Sequence, residues 1–231
     1  PAGVGRSRLV QWVAERAHEV GGATVLKTTF TTPNTALEQI RRALVRLLRS
    51  NPLAPEVRDT RFVDLFSGLK IDHLAVADAI ELLLDPERME LPEPQRQVLM
   101  RRIWEILSVD RPLMVVFDDA QWGPESLKLA KQLLDVQDAR PSRILVVLTV
   151  QGDAVERRSE CAELVEGLAH RRGTQVLELG RFVGEQRVDL VQELLGFDHG
   201  LADQVADCTD GNPLFAVQLV GDWVDRKLLV A

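Results

Sequence analysis

Along the chain, the clearest departure from amphipathic alternation is the run Leu113 to Phe117, which is apolar at every position and ends in Asp118 and Asp119. An unalternating apolar run bounded by turn formers predicts a strand buried on both faces, as in a parallel sheet. Arg143 to Thr149 repeats the pattern, and Ala23 to Phe30 and Thr174 to Leu179 read as further strands. Between them the apolar spacing turns helical. Leu9 to Val20, Thr35 to Arg49, Leu74 to Leu84, Pro94 to Leu107, Glu125 to Leu134 and Ala154 to Arg171 are predicted as helices. Residues 50 to 95 have a loose pattern that suits loops. Alternating buried strands and helices predict an α/β fold, a parallel sheet flanked by helices on both faces. From Glu185 the strand pattern ceases. Glu185 to Leu195, Leu201 to Cys208 and Leu214 to Arg226 predict a small helical domain, so the expected division is 1–181 and 182–231.

Carboxylates at the C-terminal tip of a buried strand lie where open α/β sheets bind ligands. Two adjacent acids at such a tip point to metal and phosphate chemistry. The opening residues add to this. Gly3, Val4, Gly5, Arg6, Ser7 and Arg8 precede the helical pattern. A phosphate-binding loop has the form G-x-x-x-x-G-K-[ST]: glycines let backbone N–H groups surround phosphate, and the hydroxyl binds Mg²⁺. Gly5-Arg6-Ser7 fills its last three positions with Arg for Lys, and the first glycine would fall one residue before Pro1. The same residues also suit a small-residue loop that caps a helix. Either way, Arg6 and Ser7 sit at a helix N-terminus, whose dipole favours anions. Loop, helix and strand make most of a βαβ unit without its first strand, so the chain is expected to be a cropped or incompletely ordered part of something longer.

Composition narrows the partners. The 231 residues are 45% hydrophobic and 27% charged, ordinary for a globular protein. A net charge of −7 disfavours a broad nucleic-acid face. Arg41-Arg42, Arg101-Arg102 and Arg171-Arg172 read as solvated faces. Cys161 and Cys208 are too few for a disulfide framework or zinc site, and His18, His73, His170 and His199 have no ligand spacing; all six read as structural or surface residues. No apolar run approaches the roughly 20 residues of a membrane span, and a cytoplasmic location is expected.

The ordered set Gly3-Val-Gly-Arg-Ser-Arg-Leu9, Leu113-Met-Val-Val-Phe-Asp-Asp-Ala-Gln-Trp122, Ile144-Leu-Val-Val-Leu-Thr149 and Gly211-Asn-Pro-Leu-Phe215 resembles the nucleotide-binding module of STAND signal-transduction ATPases. These are a branch of the AAA+-related P-loop NTPases. Within that branch it resembles the module of bacterial regulators that carry it beside LuxR-type, kinase, cyclase or tetratricopeptide-repeat regions. The resemblance implies a P-loop NTPase core followed by a helical lid. It implies that Gly3, Val4, Gly5, Arg6, Ser7 and Arg8 form a Walker A loop for ATP or ADP. Asp118, with Ser7, would hold Mg²⁺, while Asp119 orients the attacking water. Pro213 would pack against the adenine; it equally suits a helix start with Asn212 as N-cap and Pro at the first helical position. Trp122 is read as a packing residue. Neighbouring domains of a longer chain, and self-association on activation, are the implied partners.

Two departures from the family pattern lower the expected activity. Arg6 stands where the motif has Lys, and its longer planar fork places charge differently. Val150-Gln151 follows Thr149 where the family has an arginine that senses the γ-phosphate. Arg171, Arg172 and Arg181 are the candidates for an arginine finger. The expected function is an ATP/ADP-binding switch with slow or absent hydrolysis, a weak ATPase at most. The alternative is a degenerate P-loop scaffold that binds no nucleotide. A DNA-loading ATPase is disfavoured by charge and by the lack of a recognisable winged-helix sequence.

Overall fold

The computed structural model describes residues 2–30, 36–49, 92, 94, 101, 103–105, 107, 108, 111–139 and 141–228. In chain order these form α1 (Arg6–Glu19), β1 (Thr24–Thr29), α2 (Ala36–Arg49), β2 (Leu113–Asp118), a 3₁₀ turn (Ala120–Trp122), α3 (Pro124–Ala139), β3 (Ile144–Leu148), α4 (Gly152–Glu156), α5 (Ser159–Ala169), α6 (Gln186–Leu195), α7 (His199–Thr209) and α8 (Pro213–Asp225). The helix predicted from Leu74 to Leu84 lies outside the described residues. Of the one predicted from Pro94 to Leu107, residues 94, 101, 103–105 and 107 are described, and they are helical.

Among the described residues the sheet has three parallel strands in the order β1-β2-β3. The register pairs Thr24 with Leu113 and Thr29 with Asp118 on one side of β2, and Leu113 with Ile144 on the other. All six residues of β2 are buried, as its unalternating composition requires of a central strand. One face of the sheet packs under α1, where Ala14 meets Met114 and Val116, with Val10, Ala17, Val25 and Val147 around them. The other face carries the main core: Leu26, Leu113, Val115 and Phe117 pack with Ile40, Trp104 and Leu127. Phe117 centres an aromatic group there, its ring 5.8 Å from those of Phe30 and Trp104. Such tilted pairs add about 0.5–1.5 kcal/mol each beyond area burial.

Helices α6, α7 and α8 build a separate apolar cluster around Val188, Val191, Ala202, Val205, Ala206, Ala216 and Val220. Helix α7 is capped by Asp198, whose carboxylate accepts from the Gly200 and Leu201 amides.

Two expectations need correction. Thr174 to Leu179 is not a strand: among the described residues it bonds into no ladder, and Val176 and Leu177 are 61% and 79% exposed. β-branched composition fits a pleated, half-buried surface, but a strand exists only where an edge pairs its N–H and C=O groups. The helix predicted from Ala154 to Arg171 is two helices, α4 and α5. The break lies at Arg158, which is extended at φ −134°, ψ 94°. Its guanidinium lies over the Trp122 ring at 4.2 Å and donates to the Gln121 carbonyl at 2.8 Å. A cation–π contact and a charged hydrogen bond outweigh one more helical residue.

Candidate functional site

The site begins with two glycines. Gly3 and Gly5 have φ of +77° and +94°, a backbone region that side chains rarely enter. Gly5 is the residue from which α1 starts, so Arg6 and Ser7 form the first helical positions. The N–H groups of that first turn have no intrahelical partners and carry the positive end of the helix dipole. Val4 is buried beneath the loop, Arg6 is half-buried and Arg8 is exposed.

Across from this turn stands the tip of β2. The Ser7 hydroxyl donates to Asp118 Oδ1 at 2.9 Å. Thr149, one residue past the end of β3, donates to the same oxygen at 2.6 Å. Asp118 is only 2% exposed, so these hydroxyls replace water around a carboxylate that burial would otherwise penalise. Its other oxygen, Oδ2, faces Lys27 of β1, whose Nζ lies 3.7 Å away.

The backbone turns at Asp119. It occupies the left-handed region at φ 56°, ψ 45°, costly for a non-glycine residue and held here by the surrounding bonds. Its N–H donates to Thr149 Oγ1 at 2.8 Å, and its Oδ1 accepts from Gln121 Nε2 at 3.1 Å. Gln121 is 1% exposed, and its Oε1 accepts from the Gln151 amide at 3.3 Å. Thr149 thus holds both acids of the pair, one as donor and one as acceptor.

The helical cluster closes on the loop through the start of α8. Asn212 caps this helix, its Oδ1 accepting from the Leu214 and Phe215 amides. Its Nδ2 donates to the Ala2 carbonyl at 2.9 Å, and the Leu214 amide donates to the Gly3 carbonyl at 3.3 Å. A Cβ on Gly3 would sit 2.6 Å from Asn212 Oδ1 and 2.8 Å from Leu214 Cβ. Gly3 is therefore required by contact as well as by φ. Pro213 stands between the two residues that bond the loop, and is half-buried.

With this geometry in place, comparison with known families matches AAA domain over residues 1–159. The chain belongs to the AAA domain family. No curated protein and no solved structure matches it. The family is one of nucleotide-binding P-loop domains, and the parallel sheet flanked by helices accords with that fold. AAA domains bind ATP or ADP with Mg²⁺. The donors present suit that ion: a carboxylate and a hydroxyl share one point, and Mg²⁺ is a hard cation that takes oxygen ligands and keeps several waters. Among the described residues no three His, Cys, Asp or Glu side chains cluster in a way that could hold a metal ion. Among them, too, no helix is long and apolar enough to cross a membrane.

Of the residues singled out in the sequence, the structure brings Ser7 to Asp118 and the two flanks of Pro213 to the Ala2 and Gly3 carbonyls. Arg171 is held by Asp135 and by Asp138 at 2.7 Å, and Arg181 is paired with Asp210. The Arg171 guanidinium holds the Asp135 carboxyl below its ordinary range. Both arginines are thus engaged in ion pairs within the chain. Cys161 is buried, its thiol pushed up by desolvation, and Cys208 is exposed. Sequence reasoning missed Lys27, Gln121 and Thr149. Lys27 and Thr149 are polar residues within or just beyond a strand, which only cross-strand register connects to Asp118 and Asp119, whereas Gln121 lies two residues from Asp119 and bonds it locally.

Proposed function

We propose that this AAA domain is a STAND-class switch module of a larger signalling or transcription-regulating protein. It binds ATP or ADP with Mg²⁺ and hydrolyses ATP slowly or not at all. The observation that carries this reading is the bonding of Asn212 and Leu214 to the Ala2 and Gly3 carbonyls. The loop that would cradle phosphate and the helices that would form the lid are thereby in direct contact. A phosphate group that reshapes the loop must strain or release these bonds, so the two nucleotides can favour different placements of the helices.

In this reading the loop amides and Arg6 hold phosphate oxygens, and Ser7 and Asp118 hold the metal, which supplies charge neutralisation at the phosphates. Asp119 orients water, with Gln121 and Thr149 fixing its direction. Pro213 lies against the base. The residues on either side of the boundary near 181 act as nucleotide core and lid. Arg6 in place of Lys, and Gln151 in place of an arginine, leave little to stabilise charge developing in phosphoryl transfer. A switch needs only differential affinity for the two nucleotides, so slow turnover suffices.

Thermal unfolding with and without nucleotide tests the reading. Millimolar ATP or ADP with Mg²⁺ should raise the Tm, since saturation a hundredfold above Kd stabilises by about 2.7 kcal/mol. No shift with either nucleotide would overturn it. Arg6 also favours a second reading, a scaffold without nucleotide. That reading gains if Arg6→Lys still confers no nucleotide-dependent shift.

A further inference from the structure

Lys27 has no assigned role, yet it sits in an unusual place. Parallel register pairs Thr29 with Asp118 and Lys27 with Val116, so Lys27 shares the α1-side face of the sheet. Its neighbours on that face are Val25, Met114 and Val116, under Val10, Ala14 and Ala17 of α1. A lysine in this apolar layer pays desolvation unless its charge is matched. Its side chain is 29% exposed, and Nζ reaches 3.7 Å from Asp118 Oδ2. Asp118 Oδ1 is already taken by Ser7 and Thr149, so Oδ2 is the oxygen that faces a cation.

We propose that Lys27 is the resident counter-ion of Asp118, holding the place that a nucleotide-borne Mg²⁺ would take, and that it supplies from β1 part of the positive charge facing the phosphates. This rests on the nucleotide-binding reading above and deepens it. The consequence is electrostatic. With Lys27 present, Asp118 is neutralised before any ligand arrives, so a free divalent cation gains little there and is disfavoured by the ammonium. A metal-free polyphosphate, conversely, meets a site whose acid is already compensated. Bare metal therefore binds poorly.

The test is a crossed one on Lys27→Met and Lys27→Arg. Affinity for Mn²⁺ alone is read from the free-ion paramagnetic resonance signal, and affinity for ATP in EDTA from competition with a fluorescent nucleotide. Lys27→Met should bind Mn²⁺ about tenfold more tightly and metal-free ATP about tenfold more weakly, the low end for one unit charge at about 4 Å. Lys27→Arg should stay near wild type in both. A merely structural lysine would move the two affinities in the same direction or not at all, and either result overturns the proposal. Should Lys27→Met fail to fold, Lys27→Gln gives the same crossed reading. Failure of wild-type protein to take ATP even with Mg²⁺ overturns the nucleotide reading instead, and the Mn²⁺ arm still decides whether Lys27 guards Asp118.

Discussion

Thr149 shows how much one hydroxyl can organise. It donates to Asp118 and accepts from the Asp119 amide, and so fixes a buried carboxylate and a left-handed backbone turn at once. Thr149→Val keeps the shape and removes both bonds. A bond to a charged group and an orphaned buried N–H together make a loss of about 2 kcal/mol the expected result in urea denaturation. Thr149→Ser should recover most of it, and equal losses in the two variants would show that the methyl group, not the hydroxyl, matters. The residue itself is plain in the sequence, one position past an apolar run. Its partners lie about thirty positions earlier on another strand, and spacing along the chain carries no sign of them.

Helix α2 illustrates the element scale. Glu38, in its first turn, takes Arg41 as a bidentate fork at 2.7 and 2.8 Å and Arg42 at 2.8 Å. The Arg41 hydrogen bonds, with Arg42 in support and against some desolvation, pull the Glu38 carboxyl down from 4.5 to about 2. A depressed folded-state pKa means stability that is fully present above pH 4.5 and is lost as pH falls towards 2. Part of the side chain meets solvent, which screens the pairs, so the expected loss over that window is about 1 kcal/mol. Unfolding free energies of wild type and Glu38→Gln measured across it should converge at the acid end. Parallel curves would show that the pairs contribute nothing. Here the sequence is informative because i,i+3 and i,i+4 spacing is local geometry. At the same scale Thr174 to Leu179 was misleading, because strand formation depends on a partner edge and not on the segment's own composition.

For the whole molecule, the contact between the loop and α8 decides whether the helical cluster and the sheet with its packed faces behave as one body. Asn212 serves both sides, capping α8 with Oδ1 and bonding the Ala2 carbonyl with Nδ2. Asn212→Ser retains a capping oxygen but has no amide donor. Hydrogen exchange should then quicken at loop residues 2–5 while the Leu214 and Phe215 amides stay protected, whereas Asn212→Ala should release both. Unchanged loop exchange in Asn212→Ser would mean the two are coupled elsewhere.

By itself the sequence determined what depends on local pattern. The unalternating run Leu113 to Phe117 required a central strand, glycines 3 and 5 ahead of a helical period required a loop at a helix N-terminus, and the helical spacing after Glu185 required a separate helical group. Periodicity and φ preference are properties of neighbouring residues, so these were legible. Tertiary structure alone decided that Lys27 and Thr149 meet Asp118 and that Asn212 reaches the loop 210 residues away. Those pairings arise from strand register and helix docking, which sum many weak long-range contacts that no stretch of chain encodes alone.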